Sequence, residues 1–238
     1  MKKIYYLFVM FVAVSLTGCK KIDEWLAPDL NEGLYAYYTF EGNANNTVKG
    51  APKAQQINAP KYTDGHKGTK AIKFSAKDNN YLSVTEAMID GGTFTVSFWV
   101  NNLGDGHIFH IEKGDRCRYA FGMKSGFFNV YLASHGGFSV YEGNAFAHEA
   151  IDYSSFTMVT LTSSYGEYGA HELKLYLNGE LVDLCSLKSY PEEYEKFIFG
   201  GKLGEAWHTS NMIVDNLRIY NDKALSDDEV EYLYETEK

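Results

Sequence analysis

Cysteine is scarce in this chain, which has three cysteines among 238 residues. Two of them, Cys117 and Cys185, stand inside strand-like runs, and neither has a second cysteine or a histidine two residues away. Their spacing therefore excludes the common zinc-binding motifs. The pattern favours two buried free thiols, with a disulfide as the alternative that an exported compartment would permit.

Basic residues are also in short supply. The chain has 22 lysines and arginines against 31 aspartates and glutamates, which gives a formal charge of −9. Removal of an N-terminal segment that carries two lysines and no acids takes this charge to −11. Such a chain has no electrostatic basis for binding DNA, RNA or anionic lipid headgroups, so we expect no nucleic-acid partner.

Long apolar runs are absent beyond the N-terminus. Ile4–Leu16 follows two lysines and has the length of a signal-peptide core, which is too short for a typical membrane-spanning helix. Small residues then lead to Cys19, which resembles a bacterial lipobox; an ordinary secretory signal is the alternative. We therefore expect a signal peptide over residues 1–18, lipidation at Cys19, a tether over residues 19–31 and one domain over residues 32–238.

The residue after the lipidated cysteine bears on localisation. Lys20 stands where an aspartate would favour retention in the inner membrane of a Gram-negative bacterium. The sequence therefore predicts a lipid-anchored protein of the cell envelope, held at the outer membrane.

Familiar catalytic motifs are missing as well. The sequence has no G-x-S-x-G elbow, no Walker loop and no dinucleotide fingerprint. His107 and His110 form no HExxH, and a satisfied or exposed histidine is the favoured interpretation of each. We assign no catalytic residue and expect a protein without enzymatic activity.

Short strands separated by turns fill the rest of the chain. Phe94–Val100 alternates with period two, which points its phenylalanines and valines to the core and Trp99 to the opposite face. Asn178-Gly179 predicts a tight hairpin because both residues tolerate positive φ. Further strands are predicted at 71–74, 81–84, 107–112, 119–123, 127–132, 156–163, 172–177, 180–186, 197–199 and 212–220. Many short strands with regular turns are typical of a sandwich or jelly roll.

One helix is predicted at the C-terminus. Ser226 and Glu229 form a capping box, and Val230, Leu233 and Tyr234 make one apolar stripe. We expect this helix to lie against the sandwich.

Two motifs at opposite ends of the chain carry a family resemblance. Leu34–Asn46 reads LYAYYTFEGNANN, and Met212–Ser226 reads MIVDNLRIYNDKALS. Together with the runs at 78–84, 93–100, 156–162 and 173–181, they resemble the laminin-G-like, concanavalin A-type superfamily over most of residues 34–234. The resemblance implies an all-β, two-sheet antiparallel jelly-roll sandwich with a short C-terminal helix, whose first and last strands are neighbours.

The resemblance also implies a metal. Relatives commonly hold a structural Ca²⁺ where the first and last strands meet, and Glu41, Asn43 and Asp215 stand at the matching positions. Ca²⁺ prefers six to eight oxygen ligands of mixed type, which this turn and strand can offer. Glu41 and Asn216 replace aspartates that are frequent in the family, and a turn without metal is the alternative.

Ligand-binding candidates are chosen for aromatic and polar character. Trp207, with His208 and Asn211, stands in a loop rich in glycine and polar residues, and Arg118 and Tyr141 mark two further edges. Glucanases of the superfamily carry an E-x-D-x-x-E strand, which this chain lacks. We therefore expect a non-catalytic carbohydrate-binding module, with a glycoside hydrolase or lyase, or an adhesion protein that binds a surface protein, as alternatives.

Overall fold

The protein is described by a computed structural model that covers residues 27–86, 88–89, 92–114, 116–132, 144–146, 153–166, 170–187, 194–201 and 210–238. The predicted signal peptide and the predicted lipidation site Cys19, like the predicted ligand residues Tyr141, Trp207 and His208, lie outside these described residues. The strands are β1 Leu34–Tyr38, β2 Gln55–Ile57, β3 Lys61–Asp64, β4 Lys70–Phe74, β5 Tyr81–Val84, β6 Phe94–Asn101, β7 Gly106–Lys113, β8 Arg116–Lys124, β9 Phe127–Leu132, β10 Asn144–Ala145, β11 Thr157–Tyr165, β12 His171–Leu177, β13 Glu180–Leu187, β14 Lys196–Phe199 and β15 Met212–Asn221. The helix α1 spans Asp227–Glu237.

The strands form two antiparallel sheets. The first sheet has the order β13-β12-β11-β6-β15-β4-β3, and β1 also pairs with β15. The second sheet has the order β10-β9-β8-β7-β14-β5-β2. The predicted all-β, two-sheet jelly-roll sandwich is confirmed. The expected pairing of first and last strands is seen in the register Tyr38↔Leu217.

The main core lies between the two sheets. Every second residue of β6 points inward, so Phe94, Val96, Phe98 and Val100 are buried there as predicted. The rings of Phe98 and of Phe199 in the second sheet pack edge to face, with their centroids 5.5 Å apart. Aromatic pairs of this kind stabilise the contact between the sheets beyond the area that they bury.

Helix α1 covers the outer face of the first sheet, the side turned away from the second sheet. Ser226 caps it with the predicted box: Glu229 N donates to the Ser226 hydroxyl, and the Glu229 carboxylate accepts from Ser226 N. Val230 and Leu233 pack on a second, smaller core that includes Trp99. Trp99 therefore lies on the outer face, as its alternation in β6 predicted, and packs there against the helix.

The differences from the predicted strands have simple causes. The strands β2 and β3 escaped prediction because they are three and four residues long and mostly polar. The hairpin at Asn178-Gly179 is confirmed by the pair Leu177↔Glu180. Cys117 and Cys185 form no disulfide, in agreement with the favoured alternative, but both are half-buried rather than buried. Within the described residues no helix is long and apolar enough to cross a membrane.

Candidate functional sites

The junction of the first and last strands is built around Asp215. A bulge in β15 between Asp215 and Arg218 places Asn216 at a φ of 49° and turns both flanking charged side chains to the outer face. Asp215 is fully buried there. It faces the 3-10 turn His66–Gly68, which connects β3 to β4.

Asp215 is satisfied by protein donors. Its Oδ2 accepts from His66 N at 2.9 Å and from the Thr69 hydroxyl at 2.6 Å, and its Oδ1 accepts from Asn216 N at 2.8 Å. The turn approaches so closely that a Cβ on Gly65 would lie 2.5 Å from Asp215 Oδ2. Asp215 therefore acts as an anchor for the β3–β4 turn.

The other two predicted calcium ligands, Glu41 and Asn43, make hydrogen bonds within and next to the turn that follows β1. The Asn43 amide donates to the Glu41 carbonyl at 3.1 Å, and its Oδ1 accepts from Asn45 N at 2.9 Å. The Glu41 carboxylate accepts from Lys70 N at 3.2 Å. The described residues contain no group of three histidine, cysteine, aspartate or glutamate side chains arranged to hold a metal. Oxygens of Glu41, Asn43 and Asp215 therefore accept hydrogen bonds from protein donors, and calcium here stays a prediction.

Electrostatics at this junction oppose ionisation of Asp215. Burial raises the pKa of Asp215, the three hydrogen bonds oppose that rise, and the charge of Glu41 adds to it.

The predicted ligand residues that the structure describes lie apart. Asn211 precedes β15, and its backbone carbonyl accepts from Gly104 N, just before β7 begins. Arg118 is half-buried in β8, at a bulge opposite the other end of β7. The intervening part of β7, from Gly106 to Glu112, spans about 20 Å. Arg118 and Asn211 therefore do not belong to one compact site.

A polar cluster that the sequence reasoning missed lies on the outer face of the second sheet. A bulge in β7 between His107 and Phe109 leaves Ile108 and Phe109 both in the core. This extra residue shifts the alternation of the strand, so His107 joins His110 and Glu112 on the outer face. We call these three residues the polar cluster.

The polar cluster is buried and tightly arranged. His110 and Glu112 have no exposed side-chain surface, and His110 Nε2 lies 3.1 Å from Glu112 Oε1. The rings of His107 and His110 are 5.3 Å apart between centroids. Burial, followed by the charge of His110, lowers the pKa of His107 to about 3, so His107 is neutral at physiological pH.

A row of side chains on β9 extends the outer face beyond the polar cluster. Phe128 and Val130 point into the core, so Phe127, Asn129 and Tyr131 point outward. Phe127 is 42% exposed, whereas Asn129 and Tyr131 are buried, and the centroid of the Tyr131 ring lies 6.5 Å from that of the His107 ring. Asn129 donates its amide to the Phe127 carbonyl at 2.7 Å, which fixes its orientation. We call these residues the β9 row.

Between the β9 row and the polar cluster, the sheet carries small residues. Ala120 and Gly122 of β8 pair with Tyr131 and Asn129 across the sheet. A Cβ on Gly122 would collide with the Gly106 carbonyl, so only glycine fits there. The only sequence signal for this face was the occurrence of two histidines and a glutamate within one apolar strand.

The two antiparallel sheets define the fold as a jelly-roll sandwich. A family profile described as the concanavalin A-like lectin/glucanases superfamily matches residues 76–231, which is most of the chain. The chain belongs to this superfamily. A comparison with curated protein sequences found no match.

Solved structures with the same fold include binding domains of toxins. The binding domain of botulinum neurotoxin DC in complex with rat synaptotagmin II has a TM-score of 0.66 at 17% identity, and the match covers 88% of this chain and 53% of that one. The binding domain of Paraclostridial Mosquitocidal Protein 1 has a TM-score of 0.67 at 17% identity, with 87% and 53% covered. A structure of botulinum neurotoxin type C, named for its interaction with two ganglioside molecules, has a TM-score of 0.65 at 17% identity, with 87% and 52% covered. The chain spans about half the length of these structures.

Proposed function

We propose that this chain is a non-catalytic binding module of the cell envelope and that its ligand is a glycan. The observation that carries the proposal is Phe127, whose ring is 42% exposed on the outer face of the second sheet and whose backbone carbonyl accepts a hydrogen bond from the oriented but largely buried amide of Asn129. Sugars offer apolar C–H faces that pack on aromatic rings, and hydroxyls that need amide partners. Membership of a superfamily that includes lectins supports the same conclusion.

The similar toxin structures support binding as the general role. They are named for complexes or interactions with synaptotagmin II, with SialylT and with gangliosides, which are partners of both protein and glycan type. A surface-protein partner is therefore the second candidate. The observation that favours it is the edge strand β13, where Leu181 and Leu184 are exposed.

A glycan array tests the proposal with the full-length chain in detergent. We expect Phe127→Ala and Asn129→Ala each to weaken binding about tenfold or more, which corresponds to about 1.4 kcal/mol. Tyr165→Ala is the matched control, because this ring is 62% exposed but lies on the first sheet. Trp207→Ala tests whether the ring predicted from the sequence takes part.

Three outcomes of the array would change the account. Failure of the wild-type chain to bind any glycan would overturn the proposal in favour of a protein partner. Unchanged binding by both β9 variants would move the site away from the second sheet. Release of new reducing ends or unsaturated sugars from a bound glycan would establish the hydrolase or lyase alternative.

We also propose that Cys19 carries a lipid that holds the module at the outer membrane. The support is the register of two lysines, an apolar core and small residues before this cysteine. Cys19→Ala should leave the membrane fraction and take up no labelled fatty acid, because two or more acyl chains are what makes anchoring stable. A variant that sediments with membranes as the wild type does, together with a wild type that takes up no label, would refute this.

A further inference from the structure

We propose that the groove between α1 and the edge strand β13 binds a segment of a partner protein in which lysine or arginine residues are interspersed with apolar ones. The proposal rests on the role of the chain as a binding module and names the chemistry of the protein partner, but it does not depend on the glycan. The groove lies on the outer face of the first sheet, on the opposite side of the sandwich from the β9 row. Exposed leucines, a single sign of charge and the spacing of the carboxylates together favour such a segment.

The groove is a cavity of about 360 Å³ between the helix and the end of the first sheet. Tyr176 of β12 and Leu181 of β13 line it on the side of the sheet, and Tyr234 lines it on the side of the helix. The hairpin residues Asn178 and Gly179 complete this lining. A Cβ on Gly179 would lie 2.9 Å from Tyr234 Cβ, so the hairpin packs directly on the helix. The groove is therefore formed by elements that the fold itself holds in place.

A bulge in β13 exposes two leucines beside the helix. Leu181 pairs with Tyr176, which belongs to the small core under α1. Leu184 pairs with Lys174, whose ammonium lies 3.0 Å from the carboxylate of Asp227 in the helix. Both leucines point to the outer face although they are three residues apart, because the bulge adds one residue between them. They are 41% and 55% exposed, so they offer an apolar surface that side chains of a partner can cover.

Every charged residue that lines the groove is acidic. These residues are Glu180, Asp227, Asp228, Glu231 and Glu235. Lys174 compensates the charge of Asp227, and Lys238 compensates that of Glu235. No lysine or arginine of the described part of the chain forms an ion pair with the other three acids. The groove therefore attracts cationic partners and repels nucleic acid and anionic lipid headgroups.

The carboxylates are spread along the groove. Asp228, Glu231 and Glu235 are exposed and are three and four residues apart, so they follow one another along one side of the helix over about 10 Å. Nowhere in the described ranges are three histidine, cysteine, aspartate or glutamate side chains arranged to hold a metal ion. A row of separated acids is better matched by several cations on one chain than by a single ion. Basic side chains of a peptide supply this row, and the apolar residues between them can pack on Leu181 and Leu184.

An array of immobilised twelve-residue peptides, probed with the full-length chain in non-ionic detergent, tests the proposal. Peptides that alternate lysine and leucine should bind, and peptides that alternate glutamate and leucine should not. Peptides that alternate lysine and serine should bind about tenfold more weakly, because they leave the exposed leucines uncovered. Equal binding of the lysine–serine peptides would overturn the proposal, and so would displacement of the lysine–leucine peptides by an equal concentration of the polyamine spermidine.

Two double substitutions locate the site. Asp228→Asn with Glu231→Gln should weaken binding of the lysine–leucine peptides about fivefold at low salt, and this loss should vanish at about 1 M salt. Leu181→Ser with Leu184→Ser should weaken binding about tenfold or more at either salt concentration. Unchanged binding by both double variants would overturn the proposal.

The matched control for charge is Asp78→Asn with Glu86→Gln. This pair removes the same two charges from exposed positions that do not line the groove, so binding should stay unchanged. A loss as large as that of the groove acids would show a general attraction to an acidic surface and would overturn the proposal.

Hydrogen–deuterium exchange of the wild-type chain decides the matter if a variant fails to fold. The lysine–leucine peptide should slow exchange in β13 and α1 and leave β9 unchanged, whereas protection confined to β9 would overturn the proposal. Binding of a glycan without binding of any peptide would overturn this proposal alone. Binding of the peptide without binding of any glycan would support it and overturn the glycan proposal, so the two failures are distinguishable.

Discussion

Replacement of Glu237 by alanine should destabilise the fold by about 3 kcal/mol, although the residue is the last but one in the chain. Its carboxylate accepts from Trp99 Nε1 at 2.7 Å and from Arg218 Nη2 and Nε at 2.6 and 2.9 Å. The Glu237 and Arg218 side chains are only 11% and 14% exposed. The change would leave a nearly buried guanidinium and an indole N–H without their acceptor, which is the costly way to break a buried pair.

The same helix provides the control for Glu237. Glu235 pairs with Lys238 at 2.6 Å, but both side chains are about half exposed. Glu235→Ala should therefore change the free energy of unfolding by less than about 0.5 kcal/mol. Urea unfolding of the two variants measures the difference. Equal stabilities would contradict a role for Glu237 in fastening α1 to the first sheet.

Asp215→Ala should also cost about 3 kcal/mol, because three donors lose a buried acceptor together. The donors are the backbone N–H groups of His66 and Asn216 and the hydroxyl of Thr69. The β3–β4 turn would lose its anchor on the last strand. Thermal unfolding checks this, with a drop in Tm of about 6–12 °C expected for a domain of this size.

The pH dependence of this effect has a definite sign. The folded-state pKa of Asp215 is raised, so its contribution to stability is full below the unfolded value of 3.8 and is lost as the pH rises through the raised value. The advantage of the wild type over Asp215→Asn should therefore shrink with rising pH across that interval. An advantage that grows with pH would contradict the assignment of burial as the dominant cause.

The calcium prediction is tested with the same proteins. If calcium binds the native state at this junction, a chelator should lower the Tm of the wild type. The stability lost is about 2.7 kcal/mol when the free calcium concentration was 100-fold above the dissociation constant. Asp215→Ala should then lose this response. If neither calcium nor chelator changes the Tm of the wild type, Asp215 is a structural anchor whose hydrogen bonds come from protein donors alone.

The elements with a strong local signal were predictable from the sequence. The alternation of β6 placed its inward residues and Trp99 correctly, because nothing interrupts the period of two along this strand. The capping box of Ser226 and Glu229 located the start of α1. Asn178-Gly179 located a hairpin, since positive φ at both positions suits few other residues.

The functional faces were less predictable because they depend on bulges. One extra residue in β7 brings His107 to the face of His110, and one in β15 turns Arg218 to the face of Asp215. A simple alternation from either end of these strands assigns one of each pair to the wrong side. The position of the extra residue depends on which strands pair with β7 and β15, and the sequence of a single strand does not reveal this pairing.

The central claim is that the outer face of the second sheet, at the β9 row, is the ligand-binding surface. Hydrogen–deuterium exchange of the full-length chain, with and without the glycan that binds best on the array, tests it most directly. We expect slower exchange in β9 and the adjoining β8, with β13 and α1 unchanged. Protection confined to β13, or to residues 204–211 around Trp207, would contradict it.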